Sequence, residues 1–174
     1  MPYSSFDPFG DRLARDLRNQ LSQALAAALA SGQPDPVLAV AAGFRPRLAA
    51  VHLDYLDRRL AGYTTVLGRG PVTDDSGWWQ ALAALWEQGL FFEVHELIEG
   101  RWRRARGQER AALHGLILAA GALVHREAGH DAAAVKMAGR ARALLPRTSD
   151  LSPSPALPGL LAAVQQALTA AFPP

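Results

Sequence analysis

The chain has 174 residues, 49% of them hydrophobic and 20% charged, which suits one folded domain or one domain with a substantial added segment and fits neither a disordered tail nor a membrane-embedded bundle. A net charge of +2, with Lys136 as the single lysine among 18 basic residues, gives no electrostatic footprint for a nucleic-acid partner. The absence of cysteine excludes a disulfide framework, a thiolate metal site and a cysteine nucleophile, so any metal must be held by His, Asp and Glu.

The first twenty residues interleave Asp7, Asp11 and Asp16 with Arg12, Arg15 and Arg18 and lack the apolar run of a signal peptide, so a cytoplasmic location without membrane association is expected. Leu13, Leu17, Leu21, Leu25 and Leu29 form one apolar stripe of a first helix that ends at Gly32. Asp35 and Pro36 then read as the N-cap and first residue of a short helix closing at Gly43, and Pro46 as the opening of a helix reaching Gly62. The turn-formers between Gly68 and Gly77 mark a boundary, giving an N-terminal helical extension over 1–74 and a helical core over 75–174.

Beyond that boundary Ser76 caps a helix ending at Gly89, and further helices are expected over Leu90–Arg106, Gln108–Ala128 and Asp131–Leu145. The stretch Ser149–Pro158 reads as a second linker before a last helix ending near Phe172. No alternating strand pattern intervenes. The expected fold is all-α, an irregular bundle of about seven helices around the helix Gln108–Ala128, whose apolar run from Ala111 to Val124 demands burial.

All six glutamates lie between Glu87 and Glu127, and Glu93, Glu96 and Glu99 cluster around His95. Four residues apart on one helix, His95 and Glu99 share a surface, where imidazole and carboxylate suit zinc, iron or manganese. On the helical wheel Leu90, Phe91, Val94, Leu97, Ile98, Trp102 and Ala105 form the apolar face. Glu93 and Glu96 fall on the solvated side, and His95 and Glu99 at the rim beside Phe91 and Trp102. The run is not the zinc-protease motif, which needs a second histidine where Glu99 stands. Counting outward from a turn at Gly107 sets Glu99 opposite Gly115, whose small size draws the neighbouring His114 in as a third ligand. His125, roughly 16 Å further along the axis, becomes a separate core residue. His52, in the stripe Leu48, Val51, Tyr55, is expected at a core edge with a backbone partner.

The segment from Gly89 to Trp102, followed by Leu113 to His125, resembles the bacterial and archaeal domain-of-unknown-function family 309, over about residues 78–145. The family is marked by HxxxExx followed by Trp or Tyr, here His95, Glu99 and Trp102, and the resemblance implies an all-α array and a metal-binding motif without a known reaction. The chain departs from the family at His114, where Gln is frequent, and at His130 and Ala133.

Two functions follow. In one, a metal-dependent hydrolase, His95, Glu99 and His114 ligate the ion, Glu96 is the general base, and Trp102 and His125 support the site. In the other, a non-enzymatic module, the motif fixes helix packing and the chain binds a small molecule or protein or self-associates as a homodimer. Neither a Gly-rich phosphate loop nor a nucleophile elbow is present.

Overall fold

A computed structural model describes residues 6–145 and 154–173. These form eight α-helices: α1 (Arg12–Ser31), α2 (Asp35–Phe44), α3 (Ala50–Leu67), α4 (Asp75–Glu87), α5 (Phe91–Trp102), α6 (Gly107–Glu127), α7 (Asp131–Leu144) and α8 (Leu157–Ala171). There is no strand among the described residues. The chain divides into two compact units, Met1–Gly77 and Trp78–Pro174.

In the first unit α1 buries Leu17, Leu21, Leu25 and Leu29 together with Ala14, Ala24 and Ala28, and packs on α2 and α3. Asp11 holds both its start and its position. One carboxylate oxygen accepts the Leu13 N–H at 2.8 Å as the N-cap, and the other lies 2.7 Å from Nε2 of His52 on α3. His52 therefore sits at a core edge with a carboxylate rather than a backbone partner. At the other end Gly32 turns left-handed at φ 72°, and a Cβ there would meet the Pro71 ring at 3.1 Å. The returning chain donates the Val72 N–H to the Leu29 carbonyl at 2.8 Å, so glycine is needed for conformation and for room.

Two boundaries in this unit differ from expectation. Pro46 lies in a three-residue 3₁₀ turn, Arg45–Arg47, between α2 and α3 instead of opening α3, and the α-helices of the described residues number eight against the about seven expected. α3 begins at Ala50 and runs through Gly62 to Leu67, because Gly62 is buried and packing outweighs its weak helix propensity. Capping shifts by one residue at α2, where Pro34 is the cap and Asp35 already helical, and by two at α4, where Asp74 accepts the Gly77 N–H at 2.7 Å in place of Ser76.

In the second unit α6 carries nine consecutive buried residues, Gly115 to Leu123, and packs against α5, α7 and α8. The α7 face presented to it is alanine: Ala134, Ala138 and Ala141 are buried at helical spacing. Small residues on α6 match them. A Cβ on Gly115 would stand 3.0 Å from Leu144 Cβ and 3.3 Å from backbone atoms of Leu144 and Leu145, so this glycine admits the end of α7, not α5 as expected. α8 is tied down by cations at its C-terminal carbonyls, where Arg142 donates to Leu168 at 3.0 Å and to Phe172, and Arg126 to Ala171. α8 begins inside the stretch expected as linker, since Pro158 is tolerated in a first helical turn. Residues 149–153 of that linker lie outside the described residues.

Two predictions follow from this packing. Gly115→Ala is expected to force apart α6 and the end of α7 and to cost about 1–3 kcal/mol in chemical denaturation. Asp11→Ala removes the α1 cap and the His52 partner together, with an expected loss of at least about 1 kcal/mol. The His52 hydrogen bond foremost, with the backbone N–H groups of Leu13 and Ala14, lowers the Asp11 pKa below its usual 3.8. Its stabilisation is therefore complete above that value and lost as pH falls through the lower folded-state one. The wild type and Asp11→Ala should converge in stability at strongly acid pH, which parallel urea titrations check.

Candidate functional site

α5 ends at Trp102, four residues earlier than its sequence spacing predicts, because partners on α6 take up its last turn. Arg110 donates to the Trp102 carbonyl at 3.0 Å and lies over the Trp102 ring, 3.9 Å from its centroid, while Arg101 pairs with Glu109 at 3.0 Å. A helix whose terminal carbonyl is capped by a guanidinium has no need to continue. Residues 103–106 are non-helical, so a count from Gly107 at helical rise fails on the α5 side. The hairpin register shifts accordingly: His95 faces Gly121, where a Cβ would lie 3.7 Å from the ring, and Trp102 faces His114 at a centroid separation of 5.8 Å.

This register decides which candidate ligands meet. His95, Glu96 and Glu99 each offer one ligand atom within 4.8 Å of the others, the group of this kind found among the described residues. His114, expected as third ligand, is not in it; Glu96, expected as general base, is. His95 Nδ1 lies 3.3 Å from Glu96 Oε1, and Glu99 accepts from Arg103 at 3.0 Å. His95 and Glu99 are half-buried and Glu96 exposed, so the cluster opens to solvent on one side. Its inner wall is Gly121, and the methyl of Met137 from α7 fills the space a Cβ there would need.

The other expected residues take different places. Trp102 is half-buried, and its Nε1–H has no acceptor among the described residues. His125, one turn beyond Gly121 on α6, lies beside His130, with ring centroids 5.8 Å apart, and is not in the ligand group of His95, Glu96 and Glu99. Glu93, expected on the solvated side, is only 2% exposed, and Phe92 rather than Phe91 is buried beside it. The inward face of α5 is thus rotated towards Phe92, Glu93, Val94 and Ile98. The sequence places Gly121 on one α6 stripe with His114, Leu118 and His125, but nothing in the spacing says which helix faces it, and Met137 and Arg140 carry no such signal.

The His114 pKa is lowered by burial first and by the positive charges of Arg140 and Arg110 after it. The folded protein therefore favours the neutral imidazole. As pH falls below the ordinary histidine value of 6.5, the unfolded chain takes up this proton first and stability declines. His114→Gln should flatten that decline below pH 6.5, read from denaturant midpoints across pH.

Residues 79–137 match the model of a family described as a domain of unknown function (DUF309), and over that span the chain resembles it. The matched span holds His95, Glu96, Glu99, Trp102, His114 and His125, and excludes Arg140. No curated protein and no solved structure matches the chain. No helix among the described residues is long and apolar enough to cross a membrane.

Proposed function

We propose that the unit from Trp78 onward binds one divalent transition-metal ion on the α5 stripe His95, Glu96 and Glu99 and uses it for hydrolysis. The observation that carries this reading is the convergence of one imidazole and two carboxylates within 4.8 Å on successive turns of one helix. Mixed nitrogen and oxygen donors fit zinc, iron or manganese, and three protein ligands leave coordination positions for water and substrate. When bound, such an ion supplies an activated water at neutral pH. His95, packed on Gly121, would offer one ring nitrogen, Glu99, which accepts from Arg103, would offer a carboxylate oxygen, and exposed Glu96 would supply the third donor. In this reading Glu96 is a ligand, not the base.

The second reading, a packing motif in a non-enzymatic binding module, draws support from the same contacts. His95 with Glu96, and Glu99 with Arg103, satisfy one another without an ion. Titration of chelator-treated protein with Zn²⁺ or Mn²⁺ separates the two. One equivalent is expected to bind, with His95→Ala and Glu99→Gln each weakening affinity about 100-fold, near 2.7 kcal/mol. Without metal the two substitutions should be additive in stability within about 0.5 kcal/mol, because each residue has a different partner. With metal they should couple. Absent or unaltered binding across the variants overturns the metal reading. Stoichiometric binding without turnover of activated esters would retain the ion and remove the hydrolase.

A further inference from the structure

Within the second unit, a cluster of opposite charge gathers where α5 ends. Arg110, one turn before His114 on α6, caps the Trp102 carbonyl and covers its ring. His114 stands beside that ring, half-buried, without a hydrogen-bond partner among the described residues. Arg140 on α7 is exposed and stands between Met137 and Leu144, which meet α6 at Gly121 and Gly115, so it lies along the α6 stretch next to His114 and its charge acts on that imidazole. Neither Arg110 nor Arg140 pairs with a carboxylate among the described residues. The adjacent acids are taken, Glu109 by Arg101 and Glu99 by Arg103. Next to Arg110 the Trp102 Nε1–H is buried, a donor with no acceptor among the described residues.

Among the described residues, two guanidiniums on different helices without a carboxylate, an imidazole without a hydrogen-bond partner and an indole N–H without an acceptor all lack the same thing, a negatively charged group with several acceptor oxygens. We propose that Trp102, Arg110, His114 and Arg140 form a binding site for a phosphate group. A carboxylate is planar and singly charged, and one guanidinium satisfies it in a bidentate fork. Two guanidiniums set apart on α6 and α7 match a doubly charged oxyanion that offers oxygens in more than one direction. Arg110 is held against the Trp102 ring by its bond to the carbonyl, and the ring contributes its in-plane indole N–H rather than its face. The site stands on residues separate from the His95, Glu96, Glu99 cluster and does not depend on a metal there.

Chelator-treated ¹⁵N-labelled protein, titrated with inorganic phosphate and in parallel with glycerol phosphate, tests the assignment through the Trp102 indole resonance, itself identified by its loss in Trp102→Phe. A saturable shift of that resonance is expected. Arg140→Gln, an exposed substitution expected to leave the thermal melt unchanged, should weaken binding about tenfold, and His114→Gln should weaken it as well. Saturation by both ligands assigns the site to the phosphate group itself, and saturation by glycerol phosphate alone assigns it to a monoester; both support the proposal. Shifts reproduced by acetate or chloride at equal ionic strength, no shift with either phosphate, or undiminished affinity in Arg140→Gln would overturn it.

Discussion

Nine consecutive buried residues in α6 impose the constraint on which the second unit depends. A helix with no polar stripe along that stretch must be covered on every side, and α5, α7 and α8 provide the cover. The cover is close because it is made from small residues. The α7 alanines meet α6, and Gly115 and Gly121 leave room for Leu144, Met137 and the His95 ring. Packing at this density transmits position, so the places of His95, Trp102 and His114 are set by how α5 and α7 lie on α6.

The chemistry of the unit follows from that alignment. Along α5 the exposed and half-buried positions change from His95, Glu96 and Glu99 to Arg103 and Arg104 within about two turns, and Trp102 stands at the change. α6 and α7 then add Arg110, His114 and Arg140 at the arginine end, while Gly121 and Met137 line the carboxylate end. One helix hairpin thus carries the carboxylates of Glu96 and Glu99 beside His95 at one end and the guanidinium of Arg110 beside Trp102 and His114 at the other. The local pairs Glu99 with Arg103 and Arg101 with Glu109 occur where the two sets adjoin.

Much of the helical architecture was legible because its signals are local. The leucine stripe of α1, the glycines at 32, 89 and 129, and the apolar run of α6 each act within a few residues of themselves. The departures have tertiary causes. Gly62 passes through the middle of α3 because it is buried. α5 stops at Trp102 because Arg110 caps it. Glu93 is buried because α5 turns a different face inward than hydrophobicity alone selects, Phe92 and Phe91 being equally apolar.

The sequence by itself determined the all-α class, the stripe shared by His95 and Glu99, and the exclusion of cysteine chemistry, since helix periodicity and residue identity are properties of the chain alone. Only the tertiary structure decided which side chains from other helices complete that stripe. Four non-helical residues, 103–106, displaced the α5–α6 register by two positions, which carried His114 to Trp102 and brought His95 against Gly121. The physical reason is that spacing fixes an angle around one helix, whereas a contact between helices also needs their mutual rotation and axial offset. Those two quantities are set here by the cap at Trp102 and by the small residues that let α7 approach α6.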